Sequence, residues 1–176
     1  MRTRAPVLSI LIAASVIVFC VGTAHAAGRS FGAGIHYLRT LGDISEDDAI
    51  SLKQDSFSLL GSMQNGLGPI TLDTEVEYIF DYIGTGNEMW QPSLWALLGK
   101  MIYGGAGIGI GYTDGDWQKN PFYALRAGVQ FPLGGLALDG YASYRLQKNK
   151  EIEDITGEDL DSITFAALLR FGGGSK

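Results

Sequence analysis

The sequence predicts an all-β fold, an eight-stranded antiparallel up-and-down transmembrane β-barrel. Three observations carry that expectation. Apolar and polar residues alternate with period 2 in eight successive segments, the signature of a strand with two unlike faces. The connections between these segments alternate between short and long. The composition agrees: 25 of 176 residues are Gly, about twice average usage, with 19 aromatics, 5 Pro and only 18% charged residues. A hydrophobic content of 46% excludes a disordered polymer. The net charge of −6 argues against a nucleic-acid partner. One Cys makes no internal disulfide, and no Cys/His cluster could ligate zinc, so neither metal nor cofactor is expected.

Residues 1–26 read as a cleaved secretory signal peptide. Arg2 and Arg4 precede an apolar run from Val7 to Val21, and Ala24-His25-Ala26 supplies the small-residue cleavage pattern. The run is short of the ~20 residues that span a bilayer. Phe19 before Cys20 argues against lipidation. Cleavage leaves 150 residues with a net charge of −8 and no Cys, as suits an exported chain that does without disulfides. The barrel domain is assigned to 27–171, and 172–176 reads as a short flexible tail.

The strands follow in order. Segment 30–41 sets Phe31, Ala33, Ile35 and Tyr37 against Ser30, Gly32, Gly34 and His36. Segment 55–64 offers Phe57, Leu59 and Met63. The clearest alternation is 70–82, with Ile70, Leu72, Thr74, Val76, Tyr78, Phe80 and Tyr82 on one face and Thr71, Asp73, Glu75, Glu77, Ile79 and Asp81 on the other. A strand that long, apolar on one face and acidic on the other, suits a bilayer-spanning strand of ~9–11 residues. Segment 93–103 places Trp95, Leu97, Met101 and Tyr103 together, with Leu94, Leu98 and Ile102 making its second face apolar too. Segment 106–113 sets Ala106, Ile108, Ile110 and Tyr112 against Gly107, Gly109 and Gly111. Segments 122–131, 136–147 and 162–171 repeat the pattern, the last with Ile163, Phe165, Ala167, Leu169 and Phe171 outward.

Tight turns are expected at 65–69, 103–105 and 132–135, and long polar loops at 42–54, 83–92, 114–121 and 148–161. Threading the strands up and down puts Phe31, Tyr103, Phe131 and Phe171 near the short-turn end. Tyr37, Tyr82, Trp95, Tyr112 and Tyr123 fall near the long-loop end. These are two aromatic girdles, one for each bilayer interface.

With these features the sequence resembles the small eight-stranded outer-membrane barrels of Gram-negative bacteria, the OmpA/OmpX-like family, over essentially all of residues 28–171. The final strand carries much of the likeness, because Phe165, Leu169 and Phe171 match the family's terminal pattern of alternate apolar residues ending in Phe. The resemblance implies recognition by the barrel-assembly machinery, residence in the outer membrane, and contact with its lipids and lipopolysaccharide. Gly172-Gly173-Gly174-Ser175-Lys176 departs from the family, whose Phe is usually terminal.

Eight strands enclose an interior that side chains just fill. Its expected charges are Asp73, Glu75, Glu77, Asp81 and Asp139 against Lys100, Arg126, Arg145 and Arg170, with Gln130, Tyr141 and Ser143 as further partners. That favours a plugged, non-enzymatic barrel with a structural or surface-interaction role over a narrow ion path. Leu94, Leu98 and Ile102 motivate the alternative, a small channel or carrier of an apolar ligand. A lipid A-modifying enzyme is disfavoured, because His36 is the one His beyond the signal and no H-x-S arrangement surrounds it. A soluble lipocalin-like barrel would need charges outside and apolar residues inside. Loops 42–54 and 148–161 are acidic without EF-hand spacing, so they read as solvated surface open to an extracellular ligand.

Overall fold

The computed structural model describes residues 28–41, 55–82, 86–146 and 161–172. The signal peptide, the loop 42–54, most of the loop 148–161 and the residues after Gly172 lie outside the described residues. The described chain forms ten strands: β1 (Arg29–Thr40), β2 (Asp55–Leu67), β3 (Ile70–Ile79), β4 (Met89–Gly99), β5 (Ile102–Gly109), β6 (Tyr112–Thr113), β7 (Asp116–Trp117), β8 (Phe122–Leu133), β9 (Leu136–Leu146) and β10 (Ser162–Gly172). All pair antiparallel, and β3–β4 and β1–β10 contacts close the sheet on itself.

Eight staves make the wall, because β5 and β6 are one strand in one register. Ser93 pairs with Gly109 and Trp90 with Tyr112, three residues on along each chain. Between them the Ile110 N–H donates to the Pro92 carbonyl at 3.1 Å. Proline has no N–H to return, so the ladder thins there while the register continues. Beyond it β6 and β7 form a short hairpin over Asp114 (φ 52°) and Gly115 (φ 90°), the two left-handed residues a type I′ turn requires.

Following registered partners once round the wall leads from Ser30 through Gln64, Asp73, Trp95, Gly107, Ala124, Arg145 and Ser162 to Thr40, ten residues above the start. A shear of ten over eight strands fixes a strand tilt of about 41°. Every partner on that path points inward. The residues beside them point out and stay exposed: Ile35 60%, Phe57 64%, Leu125 61% and Ile102 79%. An uninterrupted apolar band of this extent is a surface for lipid, since water-soluble monomers rarely expose one.

One segment departs from expectation. The reading of 93–103 as a single strand, with a turn at 103–105, is wrong. β4 ends at Gly99, the turn is at Lys100–Met101, and β5 starts at Ile102. Trp95 and Tyr103 therefore face the interior, at 1% and 6% exposure, and do not belong to the outer girdles. Leu94, Leu98 and Ile102 face outward, which removes the motive for an apolar-ligand carrier. The phase of this strand is set by its partner, as Asp73 pairs with Trp95 and Glu75 with Ser93. The other two short turns shrink to Gly68–Pro69 and Gly134–Gly135.

Inward glycines make room for the large side chains. A Cβ on Gly107 would lie 2.4 Å from the Trp95 ring, and one on Gly128 would lie 2.4 Å from Tyr103 Cζ. On the outer face a Cβ at Gly140 meets nothing nearer than 3.9 Å. Gly107→Ala should therefore destabilise the barrel by about 1–3 kcal/mol, whereas Gly140→Ala should be neutral. Urea unfolding in lipid vesicles checks the contrast, and equal midpoints would overturn it. Leu125→Arg, on the outward face, should cost about 2–4 kcal/mol in the same assay. A cost below about 0.5 kcal/mol would mean that this face meets water.

Candidate functional site

The interior is built chiefly from one acidic stave and three basic ones. On β3, Asp73, Glu75 and Glu77 occupy successive inward positions. Across the barrel, β8, β9 and β10 contribute Arg126, Arg145 and Arg170. Each arginine reaches one of the β3 carboxylates. Arg126 grips Glu75 with both terminal nitrogens, Nη1 to Oε1 at 2.8 Å and Nη2 to Oε2 at 2.5 Å. Arg145 Nη2 donates to Glu77 at 2.8 Å, and Arg170 Nη2 to Asp73 at 3.0 Å. Arg170 Nε also donates to Asp139 on β9 at 2.5 Å.

Much of the remaining polar capacity is met by neighbours, although Arg126 Nε and Arg145 Nε have no hydrogen-bond partner among the described residues. Asp73 accepts from Ser62 at 2.5 Å and from Gln64 at 3.1 Å. Ser62 accepts in turn from Arg170 Nη1 at 2.8 Å. Glu75 accepts from the Tyr141 hydroxyl at 3.1 Å, and Asp139 from the Tyr103 hydroxyl at 2.6 Å. Gln91 accepts from Arg145 Nη1. The Arg126 guanidinium lies between two rings, 3.6 Å from the centroid of Trp95 and 3.6 Å from that of Tyr141. Desolvated cation–π contacts of this kind are worth about 1–2 kcal/mol each. A buried guanidinium is thus held in its plane by carboxylate and along its normal by aromatics.

Of the expected interior charges, the structure brings Asp73, Glu75, Glu77, Asp139, Arg126, Arg145 and Arg170 together, each nearly inaccessible to solvent. Two assignments need correction. Lys100 is exposed in the β4–β5 turn, a consequence of the misplaced turn. Asp81 lies past the end of β3 at the rim, where its carboxylate accepts the Gly86 N–H at 2.9 Å. His36 is a member of the network that charge counting passed over. Its Nδ1 lies 2.6 Å from Glu77 Oε1, and its Nε2 has no partner among the described residues. Its placement on the Ser/Gly face of β1 was the available signal.

Acyl-transfer chemistry would need a hydroxyl aimed at the imidazole. Ser58, on β2 beside His36, instead donates to Glu77 Oε1 at 2.5 Å. Ser58, His36 and Glu77 are all buried in the wall. Among the described residues no group of three or more His, Cys, Asp or Glu is arranged to hold a metal ion. At the short-turn end a pocket of about 440 Å³ opens, with Ser30, Gln64, Thr71, Leu97, Tyr103 and Gln130 in its lining.

Arg126→Met should destabilise the barrel by about 3–5 kcal/mol, because it strands Glu75 in a dry interior. Adding Glu75→Met should recover most of that loss. A double-mutant cycle by vesicle unfolding measures the coupling, and additive losses would show that the pair does not act as one unit.

No protein-family model matches this sequence, and no curated protein matches it. Among solved structures the chain is similar to the Yersinia pestis outer membrane protein Ail in a phospholipid bilayer nanodisc. That likeness has 15% identity and a TM-score of 0.47, and covers 82% of this chain and 99% of that one. It is also similar to the crystal structure of Ail, the attachment invasion locus protein of Yersinia pestis, in complex with the heparin analogue sucrose octasulfate. There the identity is 16% and the TM-score 0.39, with coverage of 84% and 99%. Strand number, sheet closure and the outward apolar band make this chain a small, closed, eight-stranded antiparallel transmembrane β-barrel.

Proposed function

We propose that this chain is a non-enzymatic outer-membrane barrel with a structural or surface-interaction role, and that its interior is a permanent plug. The observation that carries the reading is the set of three arginines, each anchored on a β3 carboxylate from the opposite wall. These bridges cross the bore at three successive inward positions of one strand, so an ion moving along the axis would have to break them. The cost is large, since opening one bridge leaves two unpaired charges out of water. An enzymatic role is opposed by the burial of Ser58 and His36 and by the hydrogen bond that directs Ser58 away from the imidazole.

Under this reading residues 1–26 direct export, and Phe165, Leu169 and Phe171 on β10 present the signal for barrel assembly. β10 then closes the wall on β1. The outer band meets the outer-membrane lipids and lipopolysaccharide. An extracellular ligand would be met at the long-loop end, where the described rim carries Asp55, Glu88, Asp114, Asp116 and Asp161. Planar-bilayer recording tests the plug. The protein inserted from detergent should give no stable ohmic current, and a steady open level that survives repeated insertion would overturn the reading.

A further inference from the structure

The outward aromatics at the long-loop end do not form a level ring. In one sector they form a ladder across four adjacent strands. Tyr78 on β3 pairs with Trp90 on β4, Trp90 with Tyr112 on β6, and Tyr112 with Trp117 on β7. The rings touch at both ends: Tyr78 and Trp90 have centroids 4.7 Å apart, Tyr112 and Trp117 5.1 Å. Phe80, two residues nearer the long-loop end, lies edge-on to Tyr78 at 5.1 Å. Phe80, Trp90 and Trp117 remain exposed.

The barrel's shear gives this ladder a direction. Registered partners climb toward the long-loop end on passing from β3 to β4 and onward, by about 3 Å per strand at the tilt found here. From Tyr78 to Trp117 the climb is roughly 9 Å, more than the headgroup region of one leaflet at about 5–8 Å. The foot is therefore continuous with the lipid-facing band, and the head stands on the β6–β7 hairpin above it. A belt that merely marks the apolar boundary would stay level.

Two further features define what the ladder fits. Exposed Tyr and Trp faces present rigid, amphipathic area with negative π-density, which attracts the weakly positive C–H face of a pyranose ring. The surrounding charge is acidic. Glu88 is exposed beside the sector, Asp114 accepts from Asn87 Nδ2 at 2.8 Å, and Asp116 is exposed at the turn, against one cation, Lys119, among the described residues of this sector. That balance repels phosphate and sulfate and leaves neutral sugars as the matching ligand.

We infer that Tyr78, Trp90, Tyr112 and Trp117 form a stacking surface for the neutral sugars of an outer-leaflet glycolipid, whose acyl chains lie on the apolar band below. The inference rests on the membrane placement proposed above. Continuity with that band selects a lipid-anchored sugar over a soluble one.

The test uses the full barrel in nanodiscs that hold phosphatidylglycerol and a neutral dihexosyl diacylglycerol. The readout is the ratio of the two lipids retained on the purified protein. The wild type should retain the neutral glycolipid in excess. Trp117→Ala and Tyr112→Ala should lower that enrichment at least about threefold, and Trp117→Phe should restore most of it. Phe131→Ala, a lipid-facing change at the other end, should leave it unchanged. Wild-type enrichment in Trp117→Ala, or equal enrichment of the same diacylglycerol lacking the hexoses, would overturn the inference. Binding of the free dihexoside as tightly as the lipid-anchored form would assign the surface to a soluble glycan and overturn it as well. Heat-modifiable gel mobility of every variant separates the two readings. A barrel that inserts yet shows no sugar preference sinks only the ladder, and one that fails to insert sinks the membrane placement.

Discussion

Closure of the sheet between β1 and β10 is the constraint on which the rest depends. In a bilayer core an unpaired backbone edge has no water to turn to, so the wall must pair with itself. Here the β1–β10 register runs from Ser30 opposite Gly172 to Thr40 opposite Ser162. Once eight strands close with a shear of ten, the bore has a fixed width. Side chains must then match that width along its whole length, and they do so by pairing extremes: Trp95 over Gly107, Tyr103 against Gly128. The high glycine content is in part the counterpart of these large inward rings.

A fixed bore also decides how charge can be carried inside. Three arginines long enough to cross the bore meet three carboxylates on one strand, and short polar residues such as Ser62 and Gln64 fill the angles between them. Arg126 shows the logic most fully, since its two faces are covered by Trp95 and Tyr141 and its edge by Glu75. The same side chains that fill the volume thus also supply most of the hydrogen bonds that buried charges require, Arg126 Nε, Arg145 Nε and His36 Nε2 being the exceptions among the described residues.

Most of this was legible in the sequence where one face was polar and the other apolar. Segment 70–82 displays its acids at every second position, so both the strand and its inward face could be read directly. Legibility failed at 93–103. There both faces are apolar, a turn too tight for conspicuous polar residues joins two strands, and alternation carries no phase. A shift of one residue turns every side chain to the other face, so alternation alone sends Trp95 and Tyr103 to lipid and Lys100 to the bore. His36 was legible as an inward residue but not as a partner of Glu77, because β1 and β3 are separated by β2 in the wall. Contacts across a bore depend on the shear, and the shear is a sum of registers that no single segment encodes.

That separation explains why the interior is charged at all. Buried ion pairs contribute little net stability compared with well-packed apolar groups, and an eight-stranded bore could be filled with leucine. An apolar filling, however, would tolerate a slip of two residues between any neighbouring strands, since inward would remain inward. With β3 presenting Asp73, Glu75 and Glu77 to Arg170, Arg126 and Arg145 from three different strands, such a slip displaces each carboxylate from its own guanidinium and leaves one at the end unpaired. A slip of one residue is worse, because it turns the carboxylates into lipid. The ion pairs therefore act on the competing registers more than on the native one, and they select a single shear. The tilt that follows from that shear makes the outer aromatic row climb as it passes from strand to strand, so the shape of the surface offered to the outer leaflet is set by charges on the other side of the wall.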